Sequence, residues 1–212
     1  MYGNFKLTAA DREALDAGDG GFLNDHGADC YKKGDYARAV EYYRLAAGLG
    51  EVTAIVNLGY CYLYGRSIVR STELAIAYFK IAARKGSVDA MYKLGDIYSS
   101  SKWGVEDKQR SAEYYEQAIE QLLTPAWAFS ADLHLAVKRL LPYPSLCYAL
   151  GREYLSRDLD LACQFLLLAH VGYRILIDDG EDYYRKTDGR VIDLLGQPCF
   201  AGRWEKWVQI LF

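Results

Sequence analysis

A short pattern, Leu-Gly-x-x-Tyr, returns along this chain and limits what it can fold into more than any other feature. It reads LGYCY at 58–62, LGDIY at 94–98 and LGREY at 150–154. A second pattern accompanies it: Ala39, Tyr42, Tyr43 and Ala46, then Ala75, Tyr78, Phe79 and Ala82, then Ser111, Tyr114, Tyr115 and Ala118, and last Ala162, Phe165, Leu166 and Ala169. Self-similarity with a period of about 20 to 50 residues marks a solenoid or array built from one supersecondary unit. Local propensity points elsewhere, since LGYCYLYG (58–65) sets its tyrosines between two glycines and by itself favours a short strand. The period decides against the strand.

Both patterns step as helices do. Ala54, Leu58 and Tyr62, and likewise Ala90, Leu94 and Tyr98, line one face of a first helix, while Ala75, Phe79 and Ala82 line a second. Each unit is therefore expected to be an antiparallel helix pair. The motif glycine and the small alanines let two backbones come close, and Tyr and Phe fill the space between pairs. The tyrosine content, 19 residues, is thus first a property of the core.

Gly59, Tyr62, Gly65, Ala75, Tyr78, Phe79, Ala82, Ala83 and Gly86, with the matching Gly95, Tyr98, Gly104, Tyr114, Tyr115 and Ala118, resemble Sel-one-like repeats, relatives of tetratricopeptide repeats with a longer loop inside the hairpin. Units at about 52–86 and 88–122 carry this pattern best. The unit at about 21–50 keeps Gly27, Ala39, Tyr43 and Ala46 at tetratricopeptide spacing, with His26 in place of Leu and Cys30 in place of Tyr. The unit at about 144–172 keeps Leu150, Gly151, Tyr154 and Ala162, with a short loop and Leu166 for an aromatic. The resemblance implies an all-α, right-handed α-α superhelix, taken as a single helical-repeat domain over 1–212. It also implies a non-catalytic adaptor that holds a protein or peptide in a concave groove.

Departures from the pattern shape the expected architecture. Gly50 and Gly86 stop their second helices, whereas Leu122 stands at the corresponding place in the third, so that helix is expected to run on. Thr124 and Pro125 restart a helix, and Phe129, Leu133, Val137 and Leu140 give an inserted helix over 125–141 that Pro142 and Pro144 end. A capping helix is expected near 8–18, and divergent helices over 173–212 flank an acidic turn at 178–182. Phe200, Trp204, Trp207, Val208 and Leu211 form the stripe of a terminal helix. That helix either caps the array or docks a partner, a homodimer mate included.

With a formal charge of −3 the chain offers no basic footprint for nucleic acid or for an anionic membrane surface. Its start lacks the basic flank and apolar run of a secretory signal, and no run of about 18 apolar residues occurs, so a cytoplasmic location is expected. Cys30, Cys61, Cys147, Cys163 and Cys199 stand singly, as reduced thiols do. The per-repeat cysteine pairs of the secreted branch of the resembled family are missing. His26, His134 and His170 have no partner at zinc spacing, and AGDGGF (17–22) lacks the Lys of a phosphate loop. The acidic turn lacks the alternating ligands of a calcium loop. No catalytic residue, metal or cofactor is expected.

What remains is surface. Just off the packed stripe of the first helices stand Asn24 and Tyr31, Tyr60 and Tyr64, Tyr92 and Asp96, and Tyr148 and Arg152. An aromatic groove with polar handles is the expected partner site, because Tyr and Arg are frequent interface anchors. Packing against a neighbouring repeat is the competing fate of each. Two other functions stay open: an enzyme or small-molecule binder whose groove the inserted helix closes near His134, and self-assembly through the tail.

Overall fold

The computed structural model describes residues 5–123 and 133–211, and among these every regular element is an α-helix or a short 3-10 turn. The helices are α1 (Ala9–Asp16), α2 (Gly20–Lys32), α3 (Tyr36–Gly48), α4 (Val52–Tyr64), α5 (Thr72–Arg84), α6 (Val88–Tyr98), α7 (Lys108–Leu123), α8 (Leu133–Leu140), α9 (Pro144–Tyr154), α10 (Leu159–Asp178), α11 (Arg185–Leu195) and α12 (Arg203–Leu211). The fold class is a tetratricopeptide-like solenoid of antiparallel helix pairs. Two compact units make up the chain, one ending at Tyr114 and the other beginning at Tyr115, inside α7.

In the first unit the helices start and stop on identifiable side chains. Thr8, Asp19, Asp35, Ser71 and Ser87 each accept a hydrogen bond from a backbone N–H three residues on, covering donors that a helix start leaves bare. Gly50 and Gly86, at φ 89° and 87°, turn the chain through the left-handed region after α3 and α5. LGYCYLYG lies in α4 and its end, so the glycines are not strand punctuation.

The recurring glycine has one job in the first two pairs. A Cβ at Gly27 would lie 2.7 Å from the Tyr43 ring, and one at Gly59 would lie 2.7 Å from the Phe79 ring. The aromatic of the second helix thus sits on bare backbone of the first. The motif tyrosine stacks beside this contact: Tyr62 on Tyr78 at 5.3 Å between centroids, and Tyr98 on Tyr114 at 5.8 Å. Ser111, which stands where the other second helices have Ala, is buried, and its hydroxyl donates to the Gly95 carbonyl at 2.9 Å.

The second unit keeps the pair and changes what surrounds it. A Cβ at Gly151 of α9 would lie 2.7 Å from Leu166 Cγ of α10, and Tyr154 stacks on Phe165 at 5.8 Å. Helix α10 does not end at the expected repeat boundary near Gly172. A Cβ there would lie 2.7 Å from the Leu141 carbonyl oxygen, so this glycine permits a close crossing, and the chain turns only at Gly180. By length and composition α10 could cross a membrane. Its residues from Ala162 to Ala169 are buried here, and it packs against α9, α11 and α12.

Two expectations need correction or fall outside the description. The terminal helix begins at Arg203: Phe200 is fully buried in a 3-10 turn, Pro198–Phe200, and Gly202 at φ 74° separates it from α12. The expected single stripe is divided, with Phe200 buried and Trp207 partly so, while Trp204 (43 % exposed) and Val208 face outward. Thr124, Pro125 and Phe129 of the inserted helix lie outside the described residues, as do the side chains of Leu133, His134 and Leu211. Helix α8, with Val137 and Leu140 buried, is the described part of that insertion.

Candidate functional site

In the first unit α2, α4 and α6 are the first helices of successive repeats, so residues at equivalent positions recur from one to the next. Asn57 on α4 donates through its amide to Asn24 Oδ1 on α2 at 3.0 Å. Asn24 is buried, and joins two repeats rather than standing free. One turn along α4, Tyr60 rests its edge on Phe79 at 5.3 Å and lies parallel to Tyr64 at 6.2 Å. From α6, the Lys93 ammonium lies 5.5 Å from the Tyr60 ring centre and 5.1 Å from that of Tyr92. It pairs with Asp96 at 2.9 Å.

Lys93 is the side chain that sequence reading passed over. Only 11 % of it is exposed, which is unusual for a lysine without a functional or pairing reason. Burial opposes its charge, but Tyr60, Tyr92 and Asp96 around it carry the balance the other way and hold its pKa above the ordinary value. The Tyr60 phenol is pushed up to about 12, chiefly by burial, with Lys93 pulling against that. At neutral pH this face therefore presents a fixed cation among neutral tyrosine rings, with Asp96 as its counter-ion. The signal was the repeat position two residues before the motif glycine, where Asn57 and Lys93 both stand.

The remaining expected residues separate. Tyr31 leaves the Tyr60 row and packs edge-on against Tyr36 at 4.9 Å. Tyr64 is 45 % exposed and meets the Trp103 ring at 6.0 Å. Tyr148 and Arg152 belong to the second unit, where the guanidinium lies 5.7 Å from the tyrosine ring centre.

Two histidines are tied to buried carboxylates. His26 Nδ1 lies 2.8 Å from Asp11 Oδ1, and Asp11 also accepts from the Thr8 N–H at 2.7 Å and the Tyr42 hydroxyl at 2.9 Å. Burial would raise the Asp11 carboxyl, yet the donors from Thr8, Tyr42 and His26 bring it down to about 2. In the second unit His170 Nδ1 lies 2.6 Å from Asp188. These pairs bind α1 to α2 and α3, and α10 to α11. Among the described residues no group of three or more His, Cys, Asp or Glu side chains converges as a metal site requires. All five cysteines are free, and burial pushes the Cys61 and Cys163 thiols up to about 11 and Cys147 to about 12, away from the reactive thiolate.

Helix pairs with a glycine seating an aromatic, stacked along one chain, define a helical-repeat protein. The Sel1 repeat model matches residues 52–87, 88–121 and 145–169, and a tetratricopeptide repeat model matches residues 22–51. The matched part of the chain thus consists of Sel1 repeats preceded by one repeat of the tetratricopeptide kind. Such repeats typically mediate contacts between proteins. No curated protein matches the chain. Among solved structures it is similar to a Sel1 repeat protein from Oxalobacter formigenes, at 22 % identity and a TM-score of 0.52, over 74 % of this chain and 59 % of that one. A protective antigen of uropathogenic Escherichia coli strains displaying an SLR fold gives 21 % identity and a TM-score of 0.49, over 84 % of this chain and 44 % of that one. The chain spans about three fifths or less of these neighbours' lengths.

Proposed function

We propose that the chain is a non-catalytic adaptor that holds a peptide or partner protein on the face formed by α2, α4 and α6. The observation that carries this reading is Lys93, kept charged between Tyr60 and Tyr92 beside Asp96. A desolvated cation among rings that each offer a hydroxyl gives a partner apolar area and a directional polar contact together, as interface anchors do. The free cysteines fit a reducing compartment such as the cytoplasm. Affinity capture from the native cell extract, with wild type beside Tyr60→Ala plus Tyr92→Ala, tests the face. The double variant is expected to lose specific proteins that wild type retains; equal recovery from both would overturn the assignment.

A further inference from the structure

The loop between α4 and α5 sends its two arginines in opposite directions along the array. Arg66 reaches back to the first repeat, its guanidinium carbon 4.9 Å from the Tyr36 ring centre. Arg70 reaches forward to the third, 5.3 Å from the Trp103 ring centre, and Lys102 Nζ approaches that same ring at 4.4 Å. Ser67 between the arginines holds φ 58°, a left-handed conformation that costs a non-glycine residue about 1 kcal/mol. Val69 beside Arg70 is 88 % exposed. The loop is bent at some cost so that two cations lie on aromatic faces with an apolar side chain standing out between them.

None of Arg66, Arg70 and Lys102 has a carboxylate within ion-pair distance among the described residues, in contrast to Arg44, Lys93 and Arg110 of the same unit. Nearby acids are engaged locally: Glu73 accepts from Ser71 Oγ at 3.0 Å, and Asp107 pairs with Arg110 at 3.3 Å. A guanidinium stacked on a ring still presents its in-plane N–H fork, which matches a carboxylate. The stacking also pre-orients the fork, so less side-chain freedom is lost on binding.

We propose that this loop edge binds an acidic segment of a partner protein, with carboxylates on Arg66, Arg70 and Lys102 and apolar side chains on Val69 and Trp103. It continues the row from Tyr60 through Tyr64 to Trp103, and so rests on the reading that this side of the unit takes a protein partner. A nucleic-acid backbone is a poorer match. Residues 1–114 carry as many acidic as basic side chains, and three cations make a small footprint for a polyanion. The chain's own acidic turn has similar chemistry, but Asp178 is already paired with Arg174 and Asp182 with Arg185.

A displayed library of random dodecapeptides, selected on the full chain, tests the proposal. Sequences rich in Asp and Glu with interspersed apolar residues are expected from wild type, with recovery falling about tenfold or more on Arg66→Ala, Arg70→Ala plus Lys102→Ala, and falling further in salt. All three positions are exposed, and circular dichroism of the triple variant checks that it folds. A consensus without acidic bias, or equal recovery on the triple variant, would overturn the edge while leaving the α2, α4 and α6 face standing. No enrichment on wild type overturns both; selection that survives Tyr60→Ala plus Tyr92→Ala but not the triple variant removes the face alone. Tighter binding of a single-stranded oligothymidylate than of the selected peptides overturns the choice of protein. Self-association that Asp179→Lys plus Glu181→Lys abolishes would show the edge covered by a second copy instead.

Discussion

The two units seat a second-helix side chain against the same glycine, but the side chains differ. In the first unit the rings of Tyr43 and Phe79 lie against Gly27 and Gly59; in the second the branched end of Leu166 lies against Gly151. A planar ring has no way to shorten, whereas a leucine can change rotamer. The locks at the ends differ similarly. Asp11 gathers His26, Tyr42 and Thr8, while Asp188 is met by His170 alone among the described residues. Regular repeats are held by contacts with little give, and the divergent end by more adaptable ones.

The largest test of this contrast is Gly59→Val. Even an alanine Cβ would meet three Phe79 ring atoms at 2.7 to 3.0 Å, so valine is expected to cost about 3 kcal/mol or more in urea unfolding. Gly151→Val is expected to cost somewhat less, because the Leu166 side chain can change rotamer although its backbone nitrogen, 3.3 Å from the same Cβ position, cannot move away; equal losses would break the comparison. Next, Asp11→Ala strands three donors and is expected to cost about 2 kcal/mol, against about 1 kcal/mol for Asp188→Ala.

Acid titration sharpens the same pair. The Asp11 carboxyl is lowered from 3.8 to about 2 in the folded chain. Its contribution, about 2 kcal/mol, is therefore present above pH about 4 and lost as pH falls through about 2. Wild type and Asp11→Asn should converge in stability across that window; a constant gap would mean the carboxylate is not the source. The smallest effect is expected at Trp204→Ser, about 1 kcal/mol or less, since the residue is 43 % exposed and only part of its ring is packed.

Helix pairs were legible in the sequence because the glycine and the aromatic it seats repeat at fixed spacing, and only close packing requires that. Spacing alone sets Tyr60 and Tyr64 beside the packed stripe, but not that Tyr60 rests its edge on Phe79 or that Tyr64 meets Trp103. Lys93 was not, since a single lysine on a helix reads as solvated until the rings of a neighbouring repeat are placed around it. His26 and Asp11 are separated by a turn whose direction no spacing rule gives, so their pairing is visible only in three dimensions. The start of α12 was misplaced because Phe200 continues a helical periodicity that Gly202 interrupts at φ 74°. Gly172 looked like the end of a repeat and proved to be a crossing point.

Helix α10 has a consequence for how the protein opens. It packs with α9, α11 and α12 at once, whereas each pair of the first unit touches its sequence neighbours. Amide hydrogens of α10 can therefore meet solvent only when that whole unit loosens together, while the early repeats can peel away one at a time from α1 inward. In a deuterium exchange record α10 should stay dark longest, with a stepped gradient rising from α1 through α6.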